Sequence, residues 1–269
     1  MSEKNNDKKQ SARGSICLLP NLLTTLSLFS GFYSIVSSIN GQFLHAAVAI
    51  LVAGVFDGLD GRVARMTGTT SKFGEEYDSL CDLVSFGVAP AMLAYLWVLQ
   101  PYGRYGWLAA FLYVATTALR LARFNSMIEE TPKNVFVGLP CPAAAGMIAT
   151  SVLFCRFVST SEAYRDLVML IMVYGLSYLM VSTHHYSSFK QVSKTKFQFL
   201  VGMVLLLMVI ATEPQVTLFL LGVTYVLSGP LAGVYQVLAC RKNKDKHGKH
   251  KHKAEESVIE TPSCLEEKK

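Results

Sequence analysis

The most constraining feature of the sequence is the way long apolar runs alternate with short clusters of charge. No Asp, Glu, Lys or Arg occurs from Gly14 to Phe56 or from Leu83 to Gly103. A run of about twenty apolar residues is long enough to cross a ~30 Å hydrocarbon core as a helix. The whole chain of 269 residues is 51% hydrophobic and only 16% charged. The sequence therefore predicts an all-α, polytopic helical bundle that spans a membrane.

We predict about eight membrane-spanning helices, which form a six-helix core with two further helices. The predicted spans are residues 17–38, 41–57, 79–99, 106–126, 136–156, 166–183, 197–212 and 215–239. The integral-membrane domain then occupies residues 16–239. It lies between an N-terminal tail of residues 1–15 and a basic C-terminal tail of residues 240–269, which we predict to be disordered because of its low complexity.

The distribution of Lys and Arg predicts how the chain is oriented. Of these 25 residues, 22 lie in the two tails and in the second, fourth and sixth connections between spans. The alternate connections contain only Arg104, Arg156 and Arg165. Because Lys and Arg accumulate in cytoplasmic loops, both tails are predicted to be cytoplasmic, which requires an even number of spans.

Four aspartates lie at the ends of two neighbouring apolar segments. Asp57 and Asp60 are three residues apart and share one helix face, whereas Asp78 and Asp82 are four apart and share another. A polar stretch with two glycines separates the pairs. We therefore predict a hairpin that brings both pairs together at the cytoplasmic surface of the membrane.

Four converging carboxylates repel one another unless a cation neutralises them. Oxygen ligands favour hard ions such as Mg²⁺, Mn²⁺ or Ca²⁺. Four shared carboxylates can hold two ions about 4 Å apart, an arrangement that clamps phosphoryl groups during in-line displacement. Taken singly, each aspartate would more often be a charge at a helix end. A row of small residues that opens the helix surface to a ligand favours the metal site: Gly54, Gly58, Gly61 and Ala64.

The spacing of these residues resembles the signature of the CDP-alcohol phosphatidyltransferase family. The matching residues are Asp57, Asp60, Gly61, Ala64, Arg65, Gly74, Asp78 and Asp82. The resemblance implies a helical membrane bundle, usually a homodimer, with its site in a cytoplasm-facing cavity. It also implies that CDP-diacylglycerol donates its phosphatidyl group to an alcohol and that CMP leaves.

The resemblance also implies roles for individual residues. The four aspartates would hold two divalent ions, Mg²⁺ or Mn²⁺, and Asp82 would also be the catalytic base. Arg65 would contact a phosphate oxygen. The residues implied in binding CDP-diacylglycerol are Asn21, Thr24, Gly61, Ala64, Arg65, Thr70, Ser71 and Gly74. Helix capping remains an alternative role for Asn21, and solvated turn positions remain one for Thr70 and Ser71.

The acceptor has to be inferred from other cytoplasmic helix ends. The stretches SFGVAPA (85–91), ALRLARFN (118–125) and VGLPCPAAA (137–145) resemble the serine-using branch of the family. This branch implies L-serine as acceptor, phosphatidylserine as product and a bacterial cytoplasmic (inner) membrane as location. Arg120 or Arg123 could contact the serine carboxylate, and Asn125 its ammonium group. The arginines are also compatible with a purely topological role.

Two alternative functions remain open at this point. The first keeps the donor but uses glycerol phosphate or inositol phosphate as acceptor, which calls for a denser basic patch. The second is a divalent-cation transporter, in which ionisable residues lie at the bilayer midplane, often within two related halves. Here the acids lie at one edge, and the second half has no matching cluster. Beyond the substrates, we expect membrane lipids and a second copy of the chain as partners, and no nucleic acid.

Overall fold

The computed structural model describes residues 3–68, 71–127, 136–158, 162–182, 185–186 and 213–230, and nearly all of them are helical. The helices are α1 (Glu3–Ile39), α2 (Phe43–Thr67), α3 (Lys72–Asp82), α4 (Ala89–Ala94), α5 (Arg104–Met127), α6 (Cys141–Val158), α7 (Glu162–Val181) and α8 (214–230). Two short strands, β1 (Phe136–Val137) and β2 (His185–Tyr186), pair antiparallel with Phe136 opposite Tyr186. The all-α prediction is confirmed apart from this pairing.

Five helical segments are long and apolar enough to cross a membrane. They are Leu19–Ile39, Phe43–Thr67, Lys72–Tyr102, Cys141–Val158 and Tyr164–Val181. Five of the eight predicted spans fall on these segments. The predicted span 106–126 falls on α5, which has 24 residues but is less apolar. The span 197–212 lies outside the described residues, and the span 215–239 is described only as far as residue 230.

Helix α1 differs from the predicted span of residues 17–38 in where the helix begins and in where its apolar part begins. α1 begins at Glu3, so it includes most of the segment predicted as an N-terminal tail. Its apolar part begins at Leu19. Pro20 consequently lies inside a continuous helix and not in its first turn.

α1 and α2 form a hairpin whose interface consists of small side chains. The small buried residues include Ser27, Ser30, Ser34, Ser37 and Ser38 on α1, and Ala46, Ala47, Ala49 and Ala53 on α2. Small residues allow helix backbones to approach closely in a membrane, where lipid tails provide little drive for helix association. The Ser27 hydroxyl donates a 3.1 Å hydrogen bond to the Ala53 carbonyl. This contact fixes the end of α2 that carries the aspartates against α1.

The chain from Lys72 to Tyr102 is one helical segment that contains two wider, π-helical turns. The first of these, Leu83–Val88, begins directly after Asp82. Pro90 has no N–H to donate to the Phe86 carbonyl. The fully buried Tyr113 hydroxyl of α5 donates to that carbonyl instead, at 3.2 Å. The irregular helix after the aspartates is therefore supported by a side chain from α5.

The turn between α2 and α3 is built from two helix-end signals. α2 is closed by Gly68, which has a φ of 64° and whose N–H bonds to the Ala64 carbonyl. This left-handed conformation is readily adopted by glycine. Ser71 caps α3, since its hydroxyl accepts a 3.0 Å hydrogen bond from the Gly74 N–H. The two aspartate pairs lie on either side of this turn.

Candidate active site

Three of the four aspartates converge where α2 and α3 meet. One carboxylate oxygen from each of Asp57, Asp60 and Asp78 lies within 4.8 Å of the other two. Asp60 is buried, with 5% of its surface exposed, and the other two are half-buried. In the described part of the chain, no Lys or Arg forms an ion pair with any of them. The predicted carboxylate cluster is confirmed for these three residues.

Asp82 lies one helical turn beyond Asp78 and belongs to the edge of the cluster. It is not one of the three residues with mutually close oxygens. Its carboxyl group instead lies close to that of Asp57. Carboxylates this close repel each other unless a cation or a proton neutralises them. Asp82 therefore lies at the edge of the cluster, next to Asp57.

The cluster fits a divalent cation. Its donor atoms are all carboxylate oxygens, which hard ions such as Mg²⁺ and Mn²⁺ prefer. Oδ1 of Asp78 is buried, and no described residue hydrogen-bonds to it. A buried acceptor without a partner is costly, and coordination to a cation would satisfy it.

α1 contributes two predicted residues to the same region. The buried Thr24 hydroxyl donates a 2.9 Å hydrogen bond to Oδ2 of Asp60 and also lies 3.1 Å from the Pro20 carbonyl oxygen. Asn21 lies beside the start of α3, where its Oδ1 would be 3.4 Å from a β-carbon placed on Gly74. Thr24 thus orients a carboxylate of the cluster. Nucleotide contact by either residue stays a prediction.

The remaining residues implied in donor binding surround the turn between α2 and α3. Arg65 is exposed, and its Nη2 would be 3.9 Å from a β-carbon on Gly61. The Ser71 hydroxyl caps α3 by accepting from Gly74, which supports a structural role for it. Thr70 lies outside the described residues.

Arg120 of α5 has part of its guanidinium group unpaired among the described residues. Its Nη1 donates to Sγ of the fully buried Cys141 at 3.3 Å. Its Nε is buried and has no partner in the described part of the chain. Arg120 consequently offers a buried donor at the contact between α5 and the start of α6, and the sequence did not reveal Cys141 as its neighbour.

The two arginines predicted on one face of α5 have different environments. Arg123 is exposed, whereas Arg120 is half-buried. Nδ2 of Asn125 lies 3.0 Å from Oγ of Ser79 and 3.4 Å from Oε2 of Glu76. Asn125 is therefore attached to α3 next to Asp78. The sequence contained no signal that would pair Asn125 with Ser79 and Glu76, although these two residues share α3 with the aspartate.

Residues 17–177 match the sequence profile of the CDP-alcohol phosphatidyltransferase family. The chain belongs to this family. The CDP-diacylglycerol–serine O-phosphatidyltransferase of Helicobacter pylori is 36% identical over 229 residues, which is 85% of this chain and 96% of the relative. The protein of the same name from Bacillus subtilis is 37% identical over 174 residues, 64% of this chain and 92% of the relative. Archaetidylserine synthase of Methanothermobacter thermautotrophicus is 40% identical over 183 residues, 67% of this chain and 73% of the relative.

The match to the CDP-alcohol phosphatidyltransferase family extends from α1 into α7. It includes the three converging aspartates, Asp82, and the α1 and α5 residues that surround them. The resemblance to this family, first seen in the spacing of the aspartates, is therefore confirmed. The matched residues include those that form the carboxylate cluster.

Proposed function

We propose that this chain transfers the phosphatidyl group of CDP-diacylglycerol to the hydroxyl of L-serine, giving phosphatidylserine and CMP. The donor follows from the family, and two relatives named for this reaction support the acceptor. The observation that carries the proposal is the convergence of Asp57, Asp60 and Asp78, with Asp82 one helical turn beyond Asp78.

The net reaction exchanges the phosphoanhydride bond of the donor for a new phosphoester bond. A bond forms between the serine hydroxyl oxygen and the phosphorus that carries diacylglycerol. The bond from that phosphorus to the oxygen of CMP breaks, and CMP leaves with the electron pair. The hydroxyl proton must be removed, and a carboxylate within hydrogen-bond reach can accept it. We assign this role to Asp82 because it lies at the edge of the cluster and is not one of the three aspartates with mutually close oxygens.

Asp57, Asp60, Asp78 and Asp82 would hold two divalent ions, Mg²⁺ or Mn²⁺. When bound, such ions supply positive charge that stabilises the pyrophosphate and the leaving CMP. The exposed guanidinium of Arg65 would bind a phosphate oxygen, and its planar donors suit this task. The other proposed donor-binding residues are Asn21, Thr24, Gly61, Ala64, Thr70, Ser71 and Gly74.

The acceptor is a zwitterion and needs partners for both of its charged groups. We assign the serine carboxylate to Arg120, because its buried Nε has no partner among the described residues and a guanidinium binds carboxylates well. Asn125, held beside Asp78 by Ser79, would contact the ammonium group. The exposed Arg123 would have a secondary role, at the lipid phosphate or the entrance of the site.

We further propose eight spans with both tails and the active site in the cytoplasm, in a bacterial cytoplasmic membrane, and a homodimer as the assembled form. The distribution of 22 Lys and Arg residues against three supports this orientation. The membrane domain would cover residues 16–239, flanked by tails of residues 1–15 and 240–269. Labelling of single cysteines placed in each connection of intact cells would test the orientation.

The function is tested by CMP release from CDP-diacylglycerol by the purified chain with Mg²⁺ or Mn²⁺. Parallel reactions contain L-serine, glycerol 3-phosphate, inositol phosphate or no acceptor. We expect release that depends on serine and is lost with a chelator. Release with only a phosphorylated acceptor would preserve the donor chemistry and overturn the serine assignment. Absence of CMP release with every acceptor would contradict the proposed enzymatic activity and favour cation transport. Transport would then be measured as Mn²⁺ uptake into proteoliposomes.

A further inference from the structure

A second cavity lies at the end of the bundle opposite the aspartates. This distal cavity has a volume of 350 Å³, and its lining includes Gln42, His45, Trp97, Arg156 and Arg165. His45 precedes Asp57 by twelve residues on α2, a separation of about 18 Å along a helix. The distal cavity is thus separate from the proposed active site.

The distal cavity contains most of the basic residues that are found at this end of the protein. Two of the three Lys and Arg residues in the alternate connections, Arg156 and Arg165, line it. Nε of Arg165 bonds to Oδ1 of Asp166 at 2.9 Å, and its guanidinium lies 5.3 Å from the ring centre of Trp97. These contacts hold Arg165 in place. Arg156 has no ion-pair partner in the part of the chain that the structure describes.

The net charge around the distal cavity favours an anion with a single negative charge. The two guanidinium groups and the Asp166 carboxylate together leave one positive charge. A single positive charge matches a phosphodiester, which has one negative charge, better than a free phosphate with about two. A guanidinium also provides paired donors that fit phosphate oxygens.

An apolar groove continues from the distal cavity along α1 and α2. This acyl groove has a volume of 320 Å³ and shares Leu44 and His45 with the distal cavity. Its walls include Phe29, Val48 and Val52, which are exposed. Because α1 and α2 are both candidate membrane spans, the groove faces the level of the lipid tails. A basic pocket between membrane helices that opens into an apolar groove suits a lipid headgroup and its chain.

We propose that the distal cavity and the acyl groove together bind one anionic phospholipid from the leaflet opposite the aspartate cluster. Its phosphodiester contacts Arg156 and Arg165, and one acyl chain lies along α1 and α2. The distal cavity and the acyl groove adjoin each other at Leu44 and His45, which line both, so one molecule with a phosphodiester and a chain can occupy the two together. A soluble phosphate ester would use the distal cavity alone.

The test is native mass spectrometry of the purified full chain in detergent, with phosphatidylglycerol or phosphatidylcholine added. We expect one retained phosphatidylglycerol on the wild type and at least tenfold less on Arg156→Gln/Arg165→Gln. Arg104→Gln is the matched control, since Arg104 is the third basic residue of the alternate connections and does not line the distal cavity. It should retain lipid like the wild type. Val52→Trp, which fills the acyl groove from an exposed position, should lose lipid with both arginines intact.

Equal retention by the wild type and the double arginine variant would overturn the proposal, as would equal retention of phosphatidylcholine. Displacement of the lipid by glycerol 3-phosphate at equal concentration would overturn the role of the acyl groove, because a soluble ester would then bind as well. CMP release by each variant serves as the folding check, and we expect it to stay at the wild-type level. The proposal does not depend on the acceptor of the reaction.

Discussion

The Thr24 hydroxyl on α1 donates a 2.9 Å hydrogen bond to Oδ2 of Asp60 on α2. Both groups are buried, with 5% of each residue exposed. A residue outside the aspartate motif therefore orients one of its carboxylates. Hydrogen-bond partners of this kind fix the direction in which a metal-binding oxygen points.

Thr24→Val should weaken the response to metal, because it removes the donor to Asp60 while keeping the shape of the side chain. Loss of such a partner typically costs about 10–100-fold in metal affinity or activity. We expect the Mg²⁺ concentration for half-maximal CMP release to rise within that range. Thr24→Ser keeps the hydroxyl and should behave like the wild type. An unchanged Mg²⁺ dependence in Thr24→Val would show that the hydrogen bond does not support metal binding.

Asp82→Asn should abolish turnover while CDP-diacylglycerol still binds, because the amide cannot take the serine proton. General bases contribute about 10²–10⁴-fold to rates, so CMP release should fall by at least that range. Binding is measured as the thermal stabilisation given by CDP-diacylglycerol in the presence of Mg²⁺. Asp166→Asn, at the opposite end of the bundle, is the control and should retain full turnover. Near-normal release by Asp82→Asn would mean that another group is the base.

Arg120→Gln should raise the KM for serine and leave the KM for CDP-diacylglycerol nearly unchanged. A hydrogen bond to a charged group contributes about 1.5–3 kcal/mol, which corresponds to roughly 10–100-fold in KM. Arg123→Gln removes the same charge from an exposed position of the same helix and should leave the KM for serine nearly unchanged. If both variants raise the KM for the donor and not for serine, the arginines bind the lipid phosphate.

The sequence predicted the part of the site that depends on local spacing. Asp57 and Asp60 share a helix face because they are three residues apart, and the turn that precedes Asp78 is marked by two glycines. The contacts that orient these groups join distant parts of the chain. Thr24 and Asp60 are 36 residues apart, and Ser79 and Asn125 are 46 apart. Such pairs depend on how helices pack, which apolar periodicity does not specify.

The different environments of Arg120 and Arg123 also depend on how the helices pack. Both were placed on one face of α5, which the helix period predicts correctly. Only Arg120, however, reaches Cys141 at the start of α6 and becomes partly buried. Which of two neighbouring arginines faces the site depends on the position of α6 next to α5. The count of eight spans stays a prediction, because α5 is long enough but less apolar than the five candidate segments, and residues 197–212 lie outside the described part of the chain.

Gly31 lies where α1 crosses the helical segment that follows Asp82. A β-carbon at this position would lie 2.6 Å from Oγ and 2.7 Å from Cα of Ser85. Ser85 also donates a 3.1 Å hydrogen bond to the Ser27 carbonyl, which holds the two segments together. Because the clash involves backbone, the helices would have to move apart. Gly31→Ala would therefore move Asp78 and Asp82 away from α1 and from the aspartates of α2.

We expect Gly31→Ala to lower the free energy of unfolding by about 1–3 kcal/mol, as overpacking of a close contact usually does. CMP release should fall as well, even at temperatures where the variant remains folded. Gly175→Ala is the matched control, because a β-carbon there meets nothing within 4 Å. Thermal unfolding in detergent and CMP release would be measured for both variants. Wild-type stability and turnover in Gly31→Ala would mean that α1 does not hold the second aspartate pair in place, and that the cluster is positioned by α2 and α5 alone.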